Sequence, residues 1–228
     1  MPTIRQSSVT NAIHDEIKSR IINVYYFPGF KLSESRLASE FNTGRSPIRS
    51  AFARLHSEGW IEVSPQSGTY VRKLSEQEIA EIFEYRLILE VNATRLATKN
   101  ISDKKLIQLR QAFNRLRPKK KTFSNGLKTF DSFNELDSLF HTEIYRAAGN
   151  SLIKETLLSL HDKVRWLKKL SPSTPARMRD LFAELELILQ ALENRNPSEG
   201  AKSMRRHIEN AADFGSDLRA TSANSAEK

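Results

Sequence analysis

The sequence predicts a mainly α-helical protein, with an N-terminal winged helix-turn-helix followed by an all-helical bundle of about six helices. Two observations lead to this fold class. Two short amphipathic helices flank a polar, glycine-containing turn between Ser33 and Gly59, and short alternating strands follow at Ile61–Val63 and Thr69–Val71. Beyond Lys73, helical periodicity runs nearly to the end of the chain and strand patterns are almost absent.

This change in character predicts three segments. Residues 1–73 form the winged helix-turn-helix, residues 74–218 form the helical bundle, and residues 219–228, which are small and polar, form a disordered tail. Within the bundle, Ser102 and Thr174 are expected to begin helices, and Pro118 and Pro172 to stop them. In the first helix, His14 has polar neighbours and is expected to be exposed.

Composition narrows the class of protein. The chain has no cysteine, so disulfides and thiolate chemistry are excluded. It lacks both a membrane-length apolar run and a signal-peptide core, so a cytoplasmic location without a membrane partner is expected. A net charge of +9 favours a polyanionic partner. Residues 1–73 carry 10 basic and 6 acidic residues, an excess of +4 that leaves +5 elsewhere, so the position of individual arginines matters more than the total.

The second helix of the pair has one apolar side and another side that is rich in arginine. Arg45 and Arg49 lie one turn apart with Ser46 between them, and no acid occurs on this helix before Glu58. Such a face can reach phosphates and guanine edges in the DNA major groove. The alternative is an ordinary helical hairpin whose exposed side happens to be basic. The predicted DNA-contacting residues are Ser35, Arg36, Arg45, Ser46, Arg49 and Gly68.

These residues lie within a longer set of motifs. In chain order the set comprises Pro28–Leu32, Leu37-Ala38, Arg45–Arg49, Leu55, Glu58–Trp60 and Pro65–Val71. The motifs and their order resemble the GntR family of bacterial transcription regulators. Two positions depart from the family pattern: Gly44 replaces a Ser or Thr, which removes a helix cap, and Val24 replaces the glycine that usually ends the first helix.

Three polar residues stand out in the helical part. Asp137 and His141 are four residues apart and therefore share a helix face, and His207 lies between apolar residues on the last helix. A carboxylate and two imidazoles could bind a divalent transition metal. Alternatively, Asp137 and His141 form an ordinary helical pair and His207 is a half-buried core histidine.

The segments around Asp137 and His207 also resemble the helical ligand-sensing (FCD-type) domain of the FadR subfamily. That resemblance implies a Zn or Ni ion held by one Asp and three His, but Leu185 stands where the third histidine would be. It also implies that Arg86 lines an effector cavity and binds a small carboxylate. The alternative for Arg86 is a surface ion pair with Glu90.

The function predicted from these features is a ligand-responsive transcription regulator. We expect a repressor that binds a palindromic operator as a homodimer, because one recognition helix reads only a few base pairs, and that is controlled by a small organic acid. The alternatives are a metal-dependent enzyme domain fused to a DNA-binding module, or a nucleoid-type protein without an effector. An enzyme is not expected, because no nucleophile or second carboxylate accompanies Asp137 in the sequence.

Overall fold

The computed structural model describes residues 4–117, 126–170 and 174–223. It divides into two compact units, Met1–Ser75 with Trp166–Leu170, and Glu76–Arg165 with Ser171–Lys228. The predicted fold class is confirmed: a small three-helix, three-stranded unit comes first in the chain, and the described part of the second unit is built of helices.

The first unit is a winged helix-turn-helix. Helix α1 (Ile4–Ile22) precedes strand β1 (Lys31–Leu32), and the helix pair α2 (Glu34–Glu40) and α3 (Arg45–Ser57) leads into strands β2 (Ile61–Ser64) and β3 (Gly68–Val71). The strands form an antiparallel sheet in the order β1-β3-β2. Strands β2 and β3 were predicted, whereas β1, with two residues, is too short to show an alternating pattern.

Apolar spacing explains how this unit packs. On α1, the residues Ile13, Ile17 and Ile21 recur every four positions and are buried, while Val9, which continues the series, is 40% exposed. Val24 has a φ of 60°, the left-handed conformation that a glycine would adopt freely at this position. The remaining core is apolar and comprises Leu37, Ile48, Phe52, Leu55, Trp60, Ile61 and Val71.

The expectation that His14 is exposed is wrong. Its side chain is buried, and its two ring nitrogens lie 2.8 Å from Asp15 Oδ1 and 2.9 Å from Glu58 Oε1. Glu58 is the C-cap residue of α3, so this contact joins α1 to the end of α3. The partner is 44 residues away in sequence, which is why the local pattern around His14 did not indicate it.

The second unit contains α4 (Glu76–Asn100), α5 (Asp103–Leu116), α6 (Gly126–Ala147), α7 (Ser151–Leu170), α8 (Pro175–Glu193) and α9 (Pro197–Ala223), with the end of α7 assigned to the first unit. Ser102 and Thr174 cap α5 and α8 as predicted. The stops expected at Pro118 and Pro172 lie outside the described residues. Of the tail predicted over 219–228, residues 219–223 continue helix α9 instead of being disordered, and residues 224–228 lie outside the described residues. The core comprises mainly apolar residues of α4, α5, α6, α8 and α9.

Candidate functional site

Helix α3 of the first unit has a basic exposed side. It begins at Arg45, after Gly44 in an extended N-cap conformation without a side-chain cap bond. Arg45, Ser46 and Arg49 are exposed, whereas Ile48 is fully buried. The buried positions therefore fix the orientation of α3, and the side turned away from the core carries two arginines one turn apart. An exposed basic helix side of this kind can enter a DNA major groove.

The other predicted DNA contacts lie on α2 and on the strand hairpin, or wing. Ser35 and Arg36 are exposed in the first turn of α2, where the backbone N–H of Arg36 donates to the Ser33 side chain. Gly68 begins β3 with a φ of +128°, a conformation that other residues rarely adopt. Glu34, which was not singled out in the sequence, accepts a hydrogen bond from Arg49. The signal available was an acid in the first turn of α2.

A cluster of ionisable side chains lies inside the second unit. Asp137 and His141 on α6 and His207 on α9 are at most 2% exposed, and one ligand atom from each lies within 4.8 Å of the others. The Nε2 atoms of the two histidines are 3.3 Å apart. Asp137 Oδ1 lies 3.3 Å from His207 Nε2 and 3.6 Å from His141 Nε2. The three residues singled out in the sequence therefore converge, and we call them the polar centre.

The separations within the polar centre fit a metal ion. Donor atoms about 2.1 Å from a tetrahedral ion lie about 3.4 Å from one another, which is close to the three distances above. One carboxylate oxygen and two imidazole nitrogens form a donor set that Zn²⁺ and Ni²⁺ accept. These three residues would leave at least one coordination position for another ligand.

Helix α8 contributes a carboxylate to the surroundings of the polar centre. Leu185, at the position of the missing histidine, is fully buried in the apolar core. Its neighbour Glu184 lies 2.8 Å from His207 Nδ1 through Oε2. Glu184 Oε1 accepts hydrogen bonds from Arg177 Nη1 at 2.6 Å and from Asn210 Nδ2 at 2.7 Å. Burial tends to raise the pKa of Glu184, but His207 and Arg177 outweigh it and hold that pKa below its ordinary value.

Glu90 on α4 takes the corresponding place beside the other histidine. Its Oε2 lies 2.6 Å from His141 Nδ1. A carboxylate beside Nδ1 favours the tautomer that leaves Nε2 free to bind a metal. Burial tends to raise the pKa of Glu90, yet Arg86 and His141 lower it overall. The effects on the pKa of His141 are opposite to those on Glu90. Burial lowers the pKa of His141, but Glu90 and Asp137 raise it above its ordinary value.

Arg86 pairs with Glu90, but the pair is not on the surface, so that alternative is wrong. Arg86 Nε donates to Glu90 Oε1 at 2.6 Å, and both side chains are at most 2% exposed. Burial tends to lower the pKa of Arg86, but Glu90 raises it overall, so the guanidinium is charged. Among the described residues, Arg86 Nη1 has no hydrogen-bond partner. A buried donor without an acceptor is costly, so a ligand oxygen could stabilise this atom.

Two further polar side chains near the polar centre were not singled out in the sequence. The Tyr145 hydroxyl lies 3.3 Å from His141 Nδ1. His161 on α7 places its ring centroid 5.9 Å from that of His141, and its Nε2 lies 2.9 Å from Ser138 Oγ. Tyr145 could have been found, because it follows His141 by one helical turn. His161 lies on α7, and no spacing in the sequence links it to His141.

Comparison with known sequence families identifies both units. Residues 9–71 match the bacterial regulatory proteins of the gntR family, and residues 81–210, more than half of the chain, match the FCD domain. The chain belongs to the GntR family and carries an FCD domain. The family resemblance predicted from the sequence is thereby confirmed, and the FCD match implies the FadR subfamily.

Individual relatives agree with this assignment. The chain is 29% identical over 204 residues to the HTH-type transcriptional repressor RspR of Escherichia coli, covering 88% of this chain and 86% of that protein. It is 33% identical over 175 residues to the gluconate operon transcriptional repressor of Bacillus licheniformis, covering 76% and 68% respectively. The solved structure of E. coli McbR/YncC has the same fold, with a TM-score of 0.76 and 20% identity over 92% of this chain and 97% of that one.

These comparisons bear on the alternative functions. Both families and the relatives named above are transcription regulators, so the enzyme alternative gains no support from them. In the parts of the chain that the structure describes, every helix is too short or too polar to cross a membrane.

Proposed function

We propose that this GntR-family regulator is a repressor that binds a palindromic operator as a homodimer and releases it when a small organic acid enters the second unit. In this proposal the first unit is the DNA-binding domain, and the second is the effector-binding and dimerisation domain. The groups assigned to DNA are Ser35, Arg36, Arg45, Ser46, Arg49 and Gly68.

The observation that carries the proposal is the enclosed polar centre of the second unit. A helical domain that served only to hold two chains together would be most stable with an apolar interior, because buried charges are costly unless they are paired. Here two histidines and an aspartate come together between the helices, beside a buried arginine. Such an interior is best explained by a ligand that completes it.

The ligand class follows from the donors and acceptors. Arg86 offers an unpaired Nη1 among the described residues, and the planar guanidinium is well suited to a carboxylate. Asp137, His141 and His207 would hold a divalent metal, Zn²⁺ or Ni²⁺. When bound, the metal would act as a Lewis acid toward a ligand oxygen. We therefore assign the effector to the small carboxylic acids.

The homodimer is supported by an apolar stripe on α4. Tyr85, Ile88 and Leu96 lie on the exposed side of this helix, with 44%, 56% and 37% of their surfaces accessible. Their spacing of three and eight residues places them along one helix side. An aligned set of exposed apolar side chains is typical of an interaction surface, and a second copy of the chain would cover it.

The proposal is tested by measuring operator binding in the presence of candidate effectors. A fluorescent DNA fragment from upstream of the gene is titrated with protein, and a panel of organic acids is screened by thermal shift. An acid at one hundred times its dissociation constant should add roughly 2.7 kcal/mol to the stability of the protein. The same acid should weaken operator binding.

Arg86→Lys keeps the charge but removes the planar fork, so we expect operator binding to persist and the response to the acid to be lost. Arg110→Lys, which alters an arginine on α5 that is paired with Glu186 and Glu193, is the control and should respond normally. A panel without any acid that alters operator affinity, or an Arg86→Lys protein that responds like wild type, would refute the effector assignment.

A further inference from the structure

Each histidine of the polar centre is held by a series of contacting side chains. Arg86, Glu90 and His141 form one, in which the two Glu90 oxygens lie 2.6 Å from Arg86 Nε and 2.6 Å from His141 Nδ1. The other consists of Arg177, Glu184 and His207, with the shortest contacts at 2.6 Å and 2.8 Å. Each histidine thus has a carboxylate behind it, and each carboxylate has an arginine behind it.

The two series differ in how many nitrogens of the arginine are hydrogen-bonded. Arg177 uses both terminal nitrogens on Glu184 and lines an open cavity of about 500 Å³. Arg86 is enclosed and contacts Glu90 through Nε, which leaves Nη1 without a partner among the described residues. The Arg177 series is therefore complete, whereas the Arg86 series ends in a donor with no acceptor among the residues that the structure describes.

We propose that Glu90 is a positioning residue that couples this donor to the metal ligand His141, so that binding of a monoanion at Arg86 and of a divalent cation at the polar centre strengthen each other. This inference rests on the metal and effector roles proposed above. One Glu90 oxygen accepts a hydrogen bond from the Arg86 guanidinium, and the other lies in ion-pair contact with His141 Nδ1, on the side of the ring away from the Nε2 atom that would bind the metal.

The sign of the coupling follows from the charges enclosed around the polar centre. Two arginines (Arg86 and Arg177) and three carboxylates (Glu90, Asp137 and Glu184) sum to −1 when the histidines are neutral, as metal binding requires. A divalent ion changes this sum to +1, and one carboxylate ligand brings it to zero. Because uncompensated buried charge is costly, the ion favours the anion. By thermodynamic linkage the anion favours the ion equally.

The experiment measures this coupling with Ni²⁺ and acetate as probes on the full chain. Metal-free protein is titrated with Ni²⁺ by calorimetry, with and without saturating acetate. In the wild type we expect acetate to raise the Ni²⁺ affinity by about tenfold, within the roughly 5–150-fold range usual for coupled sites. The visible spectrum of the Co²⁺-loaded protein reports the ligand geometry independently of affinity.

Glu90→Gln is the decisive variant, because an amide has a single acceptor oxygen and cannot serve both Arg86 and His141. We expect a 10–100-fold loss of Ni²⁺ affinity, a changed Co²⁺ spectrum and a reduced acetate effect. Glu184→Gln is the matched control: it should also weaken Ni²⁺ binding through His207, but it leaves Arg86 in place and should keep the acetate effect. Melting temperatures verify that both variants are folded.

The outcomes separate this inference from the function on which it rests. A wild-type protein that binds Ni²⁺ with an acetate effect that Glu90→Gln leaves unchanged would overturn the inference alone. The same holds if Glu184→Gln and Glu90→Gln lose the acetate effect equally. A wild-type protein that binds no Ni²⁺ would overturn the proposed metal site and the inference together.

Discussion

Arg49 Nε donates a hydrogen bond to Glu34 Oε2 at 2.8 Å, so the recognition helix α3 is linked to α2 through an arginine proposed to contact DNA. The Arg49 side chain is 66% exposed and that of Glu34 is 34% exposed. An ion pair with this exposure adds only about 0–1 kcal/mol to stability. If Arg49 contacts DNA as proposed, the pair would restrict its rotamers before binding and so reduce the entropy lost on binding.

Replacing Glu34 should therefore lower specificity more than affinity. In Glu34→Gln, the loss of a negative charge near the phosphates should strengthen binding to random DNA by a few-fold. Arg49, no longer held by a charged partner, should read base edges less well, so the ratio of operator to random-DNA affinity should fall. Anisotropy titrations on both DNAs at one fixed salt concentration measure this ratio. An unchanged ratio would mean that the pair does not orient Arg49.

Arg45→Ala and Arg49→Ala should each weaken operator binding by about 1–3 kcal/mol. Both side chains are exposed, so the melting temperature should hardly change. Lys202→Ala is the charge-matched control, because Lys202 is 79% exposed on α9 of the second unit. Gel shifts measure the three affinities. If both arginine variants bind as well as Lys202→Ala, α3 is not the reading surface.

The sequence was most informative where function depends on local spacing. The apolar side and the basic side of α3 could be predicted from the 3.6-residue period of a helix. Asp137 and His141 could be placed on one helix side for the same reason. His207, 66 residues beyond His141, was grouped with them only as one of two alternatives, and the family resemblance favoured that grouping.

Contacts between distant segments were beyond a local pattern. Glu184 reaches His207 from 23 residues away, and Glu58 reaches His14 from 44 residues away. The Arg86 and Glu90 pair was considered from its four-residue spacing, but its burial was not predicted. Spacing shows that two side chains share a helix side, and only the packing of α4 against other helices shows that this side faces inward.

The apolar stripe on α4 predicts which single change would separate the two copies of the proposed homodimer. Ile88→Glu should give monomers, since it places a charge at the most exposed of the three stripe residues. Operator binding should fall by about 100-fold, because the second half-site is no longer bound at high effective concentration. Sedimentation or light scattering measures the mass. Leu152→Glu, at a leucine that is 75% exposed on α7, is the control and should stay dimeric. If Ile88→Glu remains a dimer, the stripe is not the interface.

The last prediction concerns Leu185, where the resemblance implies a third histidine. Glu184, the preceding residue on α8, already contacts His207, so a histidine at 185 starts close to the polar centre. In the absence of metal, Leu185→His should destabilise the protein by about 1–3 kcal/mol, because it buries a polar ring in place of an apolar side chain. With Ni²⁺ or Zn²⁺ present, the added imidazole should raise metal affinity by at least about tenfold and recover the lost stability.

Leu192→His is the matched control, because Leu192 is also fully buried on α8. It lies seven residues further on, about 10 Å along the helix. It should lose stability without gaining metal affinity. Metal per chain after dialysis, together with melting temperatures with and without metal, distinguishes the two variants. Equal metal content in wild type, Leu185→His and His141→Ala would show that Asp137, His141 and His207 do not form the metal site, and Arg86 alone would then hold the effector's carboxylate.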